Sequence, residues 1–246
     1  MRLKISFSHA GSLLLPRHYQ SALQGMVYAM IGDKKIQKVL HDEGFPWEKR
    51  RFKPLVYSWL QGTYHLQEGS ICFESPVELY LSSCWEPLVQ ALSYSLVAGS
   101  LNLAGQSLTV NSLHMIPEPE FTDEDMIVRT LSPITMYSTL HTAEGRKVTH
   151  YYDVRDQQFS ELIRRNLIKK AQAMYNLDLQ DRPFQLEPVG RVDPRQQKSI
   201  RYRNFLIKAW HGTFRMRGDK ELKRVAYQVG LGGKNTQGFG MVEYRE

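Results

Sequence analysis

The chain has 246 residues, enough for one large domain or two of about 120. Hydrophobic residues make up 42% and charged residues 23%, a balance that predicts a packed core and excludes disorder. The formal net charge is +7 and the pI about 9.3, which favours polyanionic partners.

The charge is uneven. From Arg191 to Arg224, 11 Lys and Arg stand against Asp193, Asp219 and Glu221, a net of +8 that leaves about −1 for the rest of the chain. A localised basic stripe is the electrostatic footprint of nucleic acid binding, and a solvated basic surface is the alternative. Cys72 and Cys84 match no zinc or redox spacing and read as reduced, partly buried thiols. The opening "MRLKISFSHAG" lacks the apolar run of a signal peptide. Residues 87–117 carry no Asp, Glu, Lys or Arg, but Gln90, Ser93, Asn102, Gln106 and Asn111 interrupt them, and Gly99 and Gly105 break them. They read as a helix, a turn and a strand, so no membrane partner is expected. The expected setting is cytoplasmic and reducing.

In chain order, "RLKISFSH" alternates Leu3, Ile5 and Phe7, the period of a strand. In "PRHYQSALQGMVYAMIG", Pro16 suits a first helical turn, and Tyr19, Leu23, Met26, Val27 and Met30 share a helical face. Asp33 is placed to cap a short second helix with Ile36, Val39 and Leu40. Strands are expected around 54–66 and 70–82, a helix over 86–98 and a strand over 107–116. This is the βαββαβ order of a ferredoxin-like unit. "PEPEFTDED" at 117–125 reads as a linker. The order then recurs: a strand over 126–139 with a hairpin partner at 146–152, a helix with Phe159, Leu162, Ile163, Leu167 and Ala171, and strands at 184–192 and 201–216. A helix capped by Asp219 and ended by Gly230 follows, and "GMVEY" is the last strand. The predicted class is α+β, two tandem ferredoxin-like (RRM-like, βαββαβ) domains, 1–120 and 121–246.

The densest glycine cluster is "VGLGGKNTQGFG", with five glycines from Gly230 to Gly240. A phosphate loop would need Gly at 228 and Ser or Thr at 235, where Gln228 and Asn235 stand. A dinucleotide fingerprint would need a third glycine at 235, and a helix rather than a strand after it. "QGFGMVEY" nearly fits the RNA-recognition consensus, departing at Gln237 and Met241, but that consensus needs a helix and another strand after it. A plain helix-to-strand turn needs one or two glycines, so a bound ligand is the expectation.

"VGLGGKNTQGFGMV" resembles the C-terminal glycine-rich motif of the CRISPR repeat-processing endoribonucleases. The resemblance extends over most of the chain: "MRLKISF", "LQGMVYAMI" at 23–31, "LHD" at 40–42, "KPLVYSWL" at 53–60, "TLSPI" at 130–134, and "AWHGTFRMRGDKELKRVAYQVG" before the loop. It implies tandem ferredoxin-like domains and a single cut in each repeat of precursor CRISPR RNA. The implied route needs no metal or other cofactor. A 2′-hydroxyl attacks the adjacent phosphate and leaves a 2′,3′-cyclic phosphate and a 5′-hydroxyl. The implied partner is CRISPR repeat RNA. A homodimer and other CRISPR-associated effector subunits are further partners it allows. A non-catalytic RNA-binding scaffold subunit of the same machinery is the alternative.

Such a reaction asks for a base at the 2′-hydroxyl, an acid at the leaving 5′-oxygen and a cation at the phosphorane. No carboxylate cluster or His/Cys grouping at ligand spacing points to a metal. Of eight histidines, His41 is the best candidate acid. It ends the short helix beside the cation-dense "DEGFPWEKRRFK" and matches the family's histidine in "LHD". A structural histidine at a helix end is the other reading. Tyr28 matches a tyrosine that some members carry on the first helix, as base or phosphate donor. Lys53 matches a lysine before the second strand, with Lys49, Arg50 and Arg51 as rivals. For RNA contact, the resemblance and the charge point to Arg191, Arg195, Lys198, Arg201 and Arg203. In the loop, Gly232, Gly233, Gly238 and Gly240 would leave backbone N–H groups uncovered for phosphates, and Lys234 would add charge. Phe239, Tyr202 and Trp210 are aromatics that would either stack bases or pack the core.

Overall fold

The computed structural model describes residues 1–96 and 100–245. Its frame is two antiparallel sheets, each with helices on one face. The first has the order Val56–Tyr57, Val77–Ser82, Arg2–Ser8, Gln106–Ile116, Ser100–Leu103. The two long central pairings fix its register, with Ile5 opposite Leu113 on one side and Leu79 on the other. The second has the order Phe184–Pro188, Thr213–Gly218, Met126–Thr130, Val242–Arg245. In both, the first strand of the unit lies between its third and fourth, which is the ferredoxin-like arrangement.

Helical periodicity explains how the layers close. Helix α1 (Gln20–Ala29) buries Leu23, Met26 and Val27. Helix α2 (Lys34–Lys38) is short and has no buried side chain. Helix α3 (Glu86–Leu96) buries Leu88, Val89, Leu92 and Leu96. Residues 97 and 98 of the expected helix, and Gly99, lie outside the described residues. On the second sheet, α4 (Gln157–Tyr175) buries Phe159, Ile163, Leu167 and Ala171, and α5 (Lys220–Val229) buries Leu222, Val225, Ala226 and Val229. Spacings of three and four put these residues on one face, and full burial of each large one contributes about 2 kcal/mol. Asp219 caps α5 by accepting from the Glu221 and Leu222 amides, as its position predicted.

Several expectations need correction. Pro16 ends a strand, Leu13–Pro16, that pairs with Ser70–Phe73, and α1 begins only at Gln20. The stretch 54–66 is two short strands, Val56–Tyr57 and Tyr64–Gln67, in different sheets. The stretch 201–216 is not one strand: it takes in the turn and second strand of a tight hairpin, Gln197–Tyr202 with Phe205–Trp210, and the start of the sheet strand Thr213–Gly218. Residues 126–139 hold the sheet strand Met126–Thr130 and then the start of Tyr137–His141, which pairs with Lys147–Tyr151 as a separate hairpin.

Candidate active site and nucleic-acid interface

The turn after α1 brings the chain back over that helix. The Asp33 carboxylate accepts from the Lys35 amide at 2.7 Å and the Ile36 amide at 3.1 Å, which starts α2. α2 runs on into a widened π turn, Val39–Glu43. Its end is closed by the Gly44 amide on the Val39 carbonyl at 2.7 Å. Leu40 is fully buried and anchors this turn in the core. The next side chain, His41, therefore stands outward and is 76% exposed. Such wide turns are frequent at functional positions.

Three sequence-predicted residues meet here. The Tyr28 ring, from α1, lies edge-on to the His41 ring with centroids 6.4 Å apart. The Lys53 ammonium donates to the His41 carbonyl at 2.5 Å. Asp42 completes the group, with its Oδ1 2.6 Å from His41 Nδ1. A carboxylate on Nδ1 orients the ring and leaves Nε2 for a substrate. The His41 hydrogen bond holds the Asp42 carboxyl below its usual range. Burial pushes the Tyr28 phenol up, and the Thr236 hydroxyl counters part of that push. Burial also lowers the Lys53 ammonium, against an opposite pull from Asp42. Of the other histidines, His211 is held neutral: burial, then Lys198 and Arg129, bring it down to about 4.

Lys53 also belongs to a cleft of about 820 Å³ between the two halves of the chain. One wall is the hairpin Phe45–Trp47 with Arg50–Phe52, which carries Arg50 and Arg51. This hairpin rests on α4: Trp47 Nε1 donates to Gln172 Oε1 at 3.1 Å, and Lys169 lies 4.6 Å above the Trp47 ring. The other wall is α4, with Arg165 and Lys169, and the glycine loop with Lys234, which sits 4.9 Å over Tyr137. Seven Lys or Arg line the cleft and, among the described residues, no Asp or Glu does. Cations facing one another across a groove focus a positive potential suited to a phosphate chain. Arg165, Lys169 and Lys170 were not anticipated.

The glycine loop is built differently from the expectation. Its carbonyls, rather than a row of free amides, turn inward around Lys170. Lys170 is 2% exposed, and its ammonium donates to the Gly230 carbonyl at 2.6 Å, the Gly232 carbonyl at 3.0 Å and Asn235 Oδ1 at 2.9 Å. Burial brings it down from 10.5 to about 7, and the three oxygen acceptors act in the opposite sense. The amides of Gly233, Gly238 and Gly240 already donate to Thr135, Asn235 and Pro133 carbonyls. The glycines are required for close approach: a Cβ on Gly240 would lie 2.0 Å from the Leu231 carbonyl oxygen, and one on Gly232 2.3 Å from that of Thr135. A lysine on the apolar face of α4, in step with Ile163 and Leu167, is the sequence signal that points to this anchor.

The basic stripe is not part of the cleft lining. Arg191 and Arg195 lie on the approach to the hairpin, Lys198 and Arg201 on its first strand, and Arg203 at its turn. The tip nevertheless touches α1, since the Tyr202 hydroxyl bonds to Gln24 Oε1. Phe239, Tyr202 and Trp210 are 0%, 4% and 3% exposed, so all three pack the core and none is free to stack a base. Among the described residues, no group of three or more His, Cys, Asp or Glu is arranged to hold a metal ion.

The profile of the family described as "CRISPR associated protein Cas6, C-terminal" matches residues 116–244. The chain is 27% identical to "CRISPR-associated endoribonuclease Cas6 1" of Methanocaldococcus jannaschii, over 98% of this chain and 92% of that one. It is 26% identical to "CRISPR-associated endoribonuclease Cas6" of Pyrococcus furiosus, over 93% and 83%. A solved structure described as "An RAMP protein binding different RNA substrates" superposes with a TM-score of 0.84 at 20% identity, covering all of both chains, and shows a shared fold. A glycine loop packed on a second ferredoxin-like sheet, a profile match over more than half of the chain and full-length likeness to two named relatives lead to one conclusion: the chain belongs to the Cas6 family of CRISPR-associated endoribonucleases.

Proposed function

We propose that this protein cuts precursor CRISPR RNA once within each repeat, by metal-independent attack of a 2′-hydroxyl on the adjacent phosphate. The products are a 2′,3′-cyclic phosphate and a 5′-hydroxyl. The observation that carries this reading is the meeting of Tyr28, His41 and Lys53 beside a cleft lined by cations. His41 is the general acid at the leaving 5′-oxygen, oriented through Nδ1 by Asp42. Tyr28 is the base at the 2′-hydroxyl or the donor to a phosphate oxygen. Lys53, fixed by the His41 carbonyl, offsets the charge of the phosphorane.

The RNA lies along the cleft, on Arg50, Arg51, Lys169 and Lys234. Arg201 and Arg203 extend that path from the hairpin tip, with Arg191, Arg195 and Lys198 behind them. Gly232 and Gly233, in the cleft lining, stand beside that path. The likeness to a protein described as binding different RNA substrates supports this partner. No helix among the described residues is long and apolar enough to cross a membrane, and the reading places the protein in the cytoplasm. A second copy of the chain and other effector subunits are partners to be looked for by size-exclusion chromatography.

The test uses purified protein and the CRISPR repeat RNA of its own genome. A single cut should appear, persist in EDTA and leave a 5′-hydroxyl. A 2′-deoxy substitution before the cut should abolish cleavage with binding near normal. Cleavage lost in chelator and restored by magnesium would sink the mechanism. Tight binding with no cut would leave the scaffold reading in its place.

A further inference from the structure

The turn that presents His41 has little hold of its own. Of its five residues only Leu40 is buried, and α2, which leads into it, buries no side chain. Much of its support comes from the hairpin that follows, Phe45–Trp47 with Arg50–Phe52. The Arg51 guanidinium donates to the Glu43 carbonyl at 2.8 Å. Lys53, the residue after the hairpin, donates to the His41 carbonyl at 2.5 Å. Gly44 joins turn to hairpin at a φ of +59°, and a Cβ there would lie 2.8 Å from the Phe52 carbonyl oxygen. The two therefore sit too close to shift independently.

The hairpin is in turn seated on the second half of the chain. Phe45 and Trp47 flank the exposed Pro46, so their rings turn to one face of the strand. The Phe45 ring meets that of Trp85 edge-on at 6.1 Å. Trp47 reaches α4: its Nε1 donates to Gln172 Oε1 at 3.1 Å, and the Lys169 ammonium stands 4.6 Å from its ring centroid. An indole engaged at both its N–H and its face is held in one orientation. From α4 to His41 the path is thus Trp47, a three-residue strand and two donors on the turn's carbonyls.

We propose that Trp47 is a positioning residue for the cleavage step: its seat on α4 fixes the hairpin, and the hairpin fixes the turn that presents His41. A general acid must stand within hydrogen-bond reach of the leaving oxygen, and a misplacement of about 1 Å can cost about 10²-fold in rate. The inference rests on the role given to His41 above.

The test is single-turnover cleavage at saturating repeat RNA, so that a loss of affinity does not enter the rate. It uses two substrates: the ordinary RNA, and one with sulfur in place of the leaving 5′-oxygen at the cut. In both, the 2′-oxygen bonds to phosphorus as the bond to the leaving atom breaks. Sulfur departs as a thiolate and needs no acid, since a thiol has a pKa of only about 8.5. Trp47→Ala should slow cleavage of the ordinary RNA by about tenfold or more, and should cut the sulfur-substituted RNA within about threefold of wild type. Trp47→Phe, which keeps a ring beside Lys169, should recover most of the loss. In a His41→Ala background, Trp47→Ala should add no further loss on the ordinary RNA. If Trp47→Ala fails to fold, Gln172→Leu takes its place: Gln172 is exposed, and the change removes the acceptor of the indole N–H. Its loss should likewise vanish on the sulfur-substituted RNA. A wild-type rate on the ordinary RNA overturns the inference, as does an equal slowing on both substrates or a full further loss in the His41→Ala background. In these outcomes the wild type still cuts its repeat and the proposed function stands. His41→Ala is the control: if sulfur does not restore its rate, the role given to His41 falls, and this inference with it. A wild type that never cuts that RNA overturns the proposed function itself.

Discussion

At the scale of single residues, the site depends on one short turn. Leu40 is buried and His41 is out, so the wide turn at Val39–Glu43 converts a core anchor into a presented imidazole. His41→Ala should remove general acid catalysis, typically about 10²–10⁴-fold in rate. An exposed side chain adds little to the grip on a long RNA. The dissociation constant should therefore move less than about tenfold, roughly 1.4 kcal/mol. Single-turnover kinetics with filter binding measure both, and an unchanged rate would remove His41 from the mechanism. Tyr28, His41 and Lys53 drew notice in the sequence because motifs of the resembled family run through them, and the fold brings the three to one patch. Lys170 was not, since its meaning lies in carbonyls about sixty residues further along the chain. It carries a pH prediction of its own. Its ammonium is lowered to about 7 in the fold against 10.5 when free. Between those values the unfolded chain holds the extra proton, so this group's contribution to stability rises with pH and is lost as pH falls towards 7. The stability difference between wild type and Lys170→Met should therefore grow in favour of wild type from pH 7 to 10, by at most about 1.4 kcal/mol per unit. Denaturant titrations across that range measure it. A flat difference would show that the three acceptors hold the ammonium at its ordinary pKa.

At the scale of elements, long amphipathic helices were legible and short strands were not. Residues 157–175 repeat their apolar face over five turns, so α4 had no competing reading. Leu13–Pro16 offers only four residues, and the proline that ends it also suits a helix start. The cleft shows the same limit. Its cations come from the Arg50–Phe52 strand, from α4 and from the loop, and only the tertiary fold brings them together. The basic stripe at 191–203 was conspicuous in sequence because its cations are neighbours in the chain. Proximity in space gives the opposite ranking for affinity. Each phosphate contact on single-stranded RNA contributes about 0.7 to the slope of log affinity against log salt. Replacing Arg50 and Lys169 with alanine should shallow that slope by roughly 1.4. Replacing Arg195 and Lys198, outside the cleft, should change it less. Filter binding over a salt series decides this, and the reverse order would move the RNA path from the cleft to the hairpin.

At the scale of the whole molecule, the two halves are joined through the strand Val56–Tyr57 and the residues after it. Val56 packs with Leu131 and Met241 in one buried cluster. Trp59 packs against another, made of Ile200, Tyr202, Ile207, Ala209 and Phe239. Its amide donates to the Leu131 carbonyl at 3.1 Å and its indole N–H to the Gly238 carbonyl at 2.8 Å. Its ring meets His211 edge-on at 4.9 Å. One residue from the first half thus touches the hairpin and the loop with its side chain and the strand end of the second half with its amide. Such a junction should make the halves unfold together. Truncation of a large core aromatic costs about 3–5 kcal/mol, and Trp59 is only partly buried, so about 2–3 kcal/mol is expected for Trp59→Ala. The loss should appear in one cooperative transition at a lower midpoint. Affinity and cleavage should fall together, unlike the separation expected for His41→Ala, because the loop and the cleft lose their common support. Calorimetry of both proteins, beside RNA binding and cleavage, is the measurement. Two resolved transitions in the wild type would mean that the junction does not couple the halves. A Trp59→Ala protein with normal affinity would mean that the glycine loop keeps its place without the tryptophan, held by Lys170, by Gln24 and Tyr57 on the Thr236 carbonyl, and by its own amides on the Thr135 and Pro133 carbonyls.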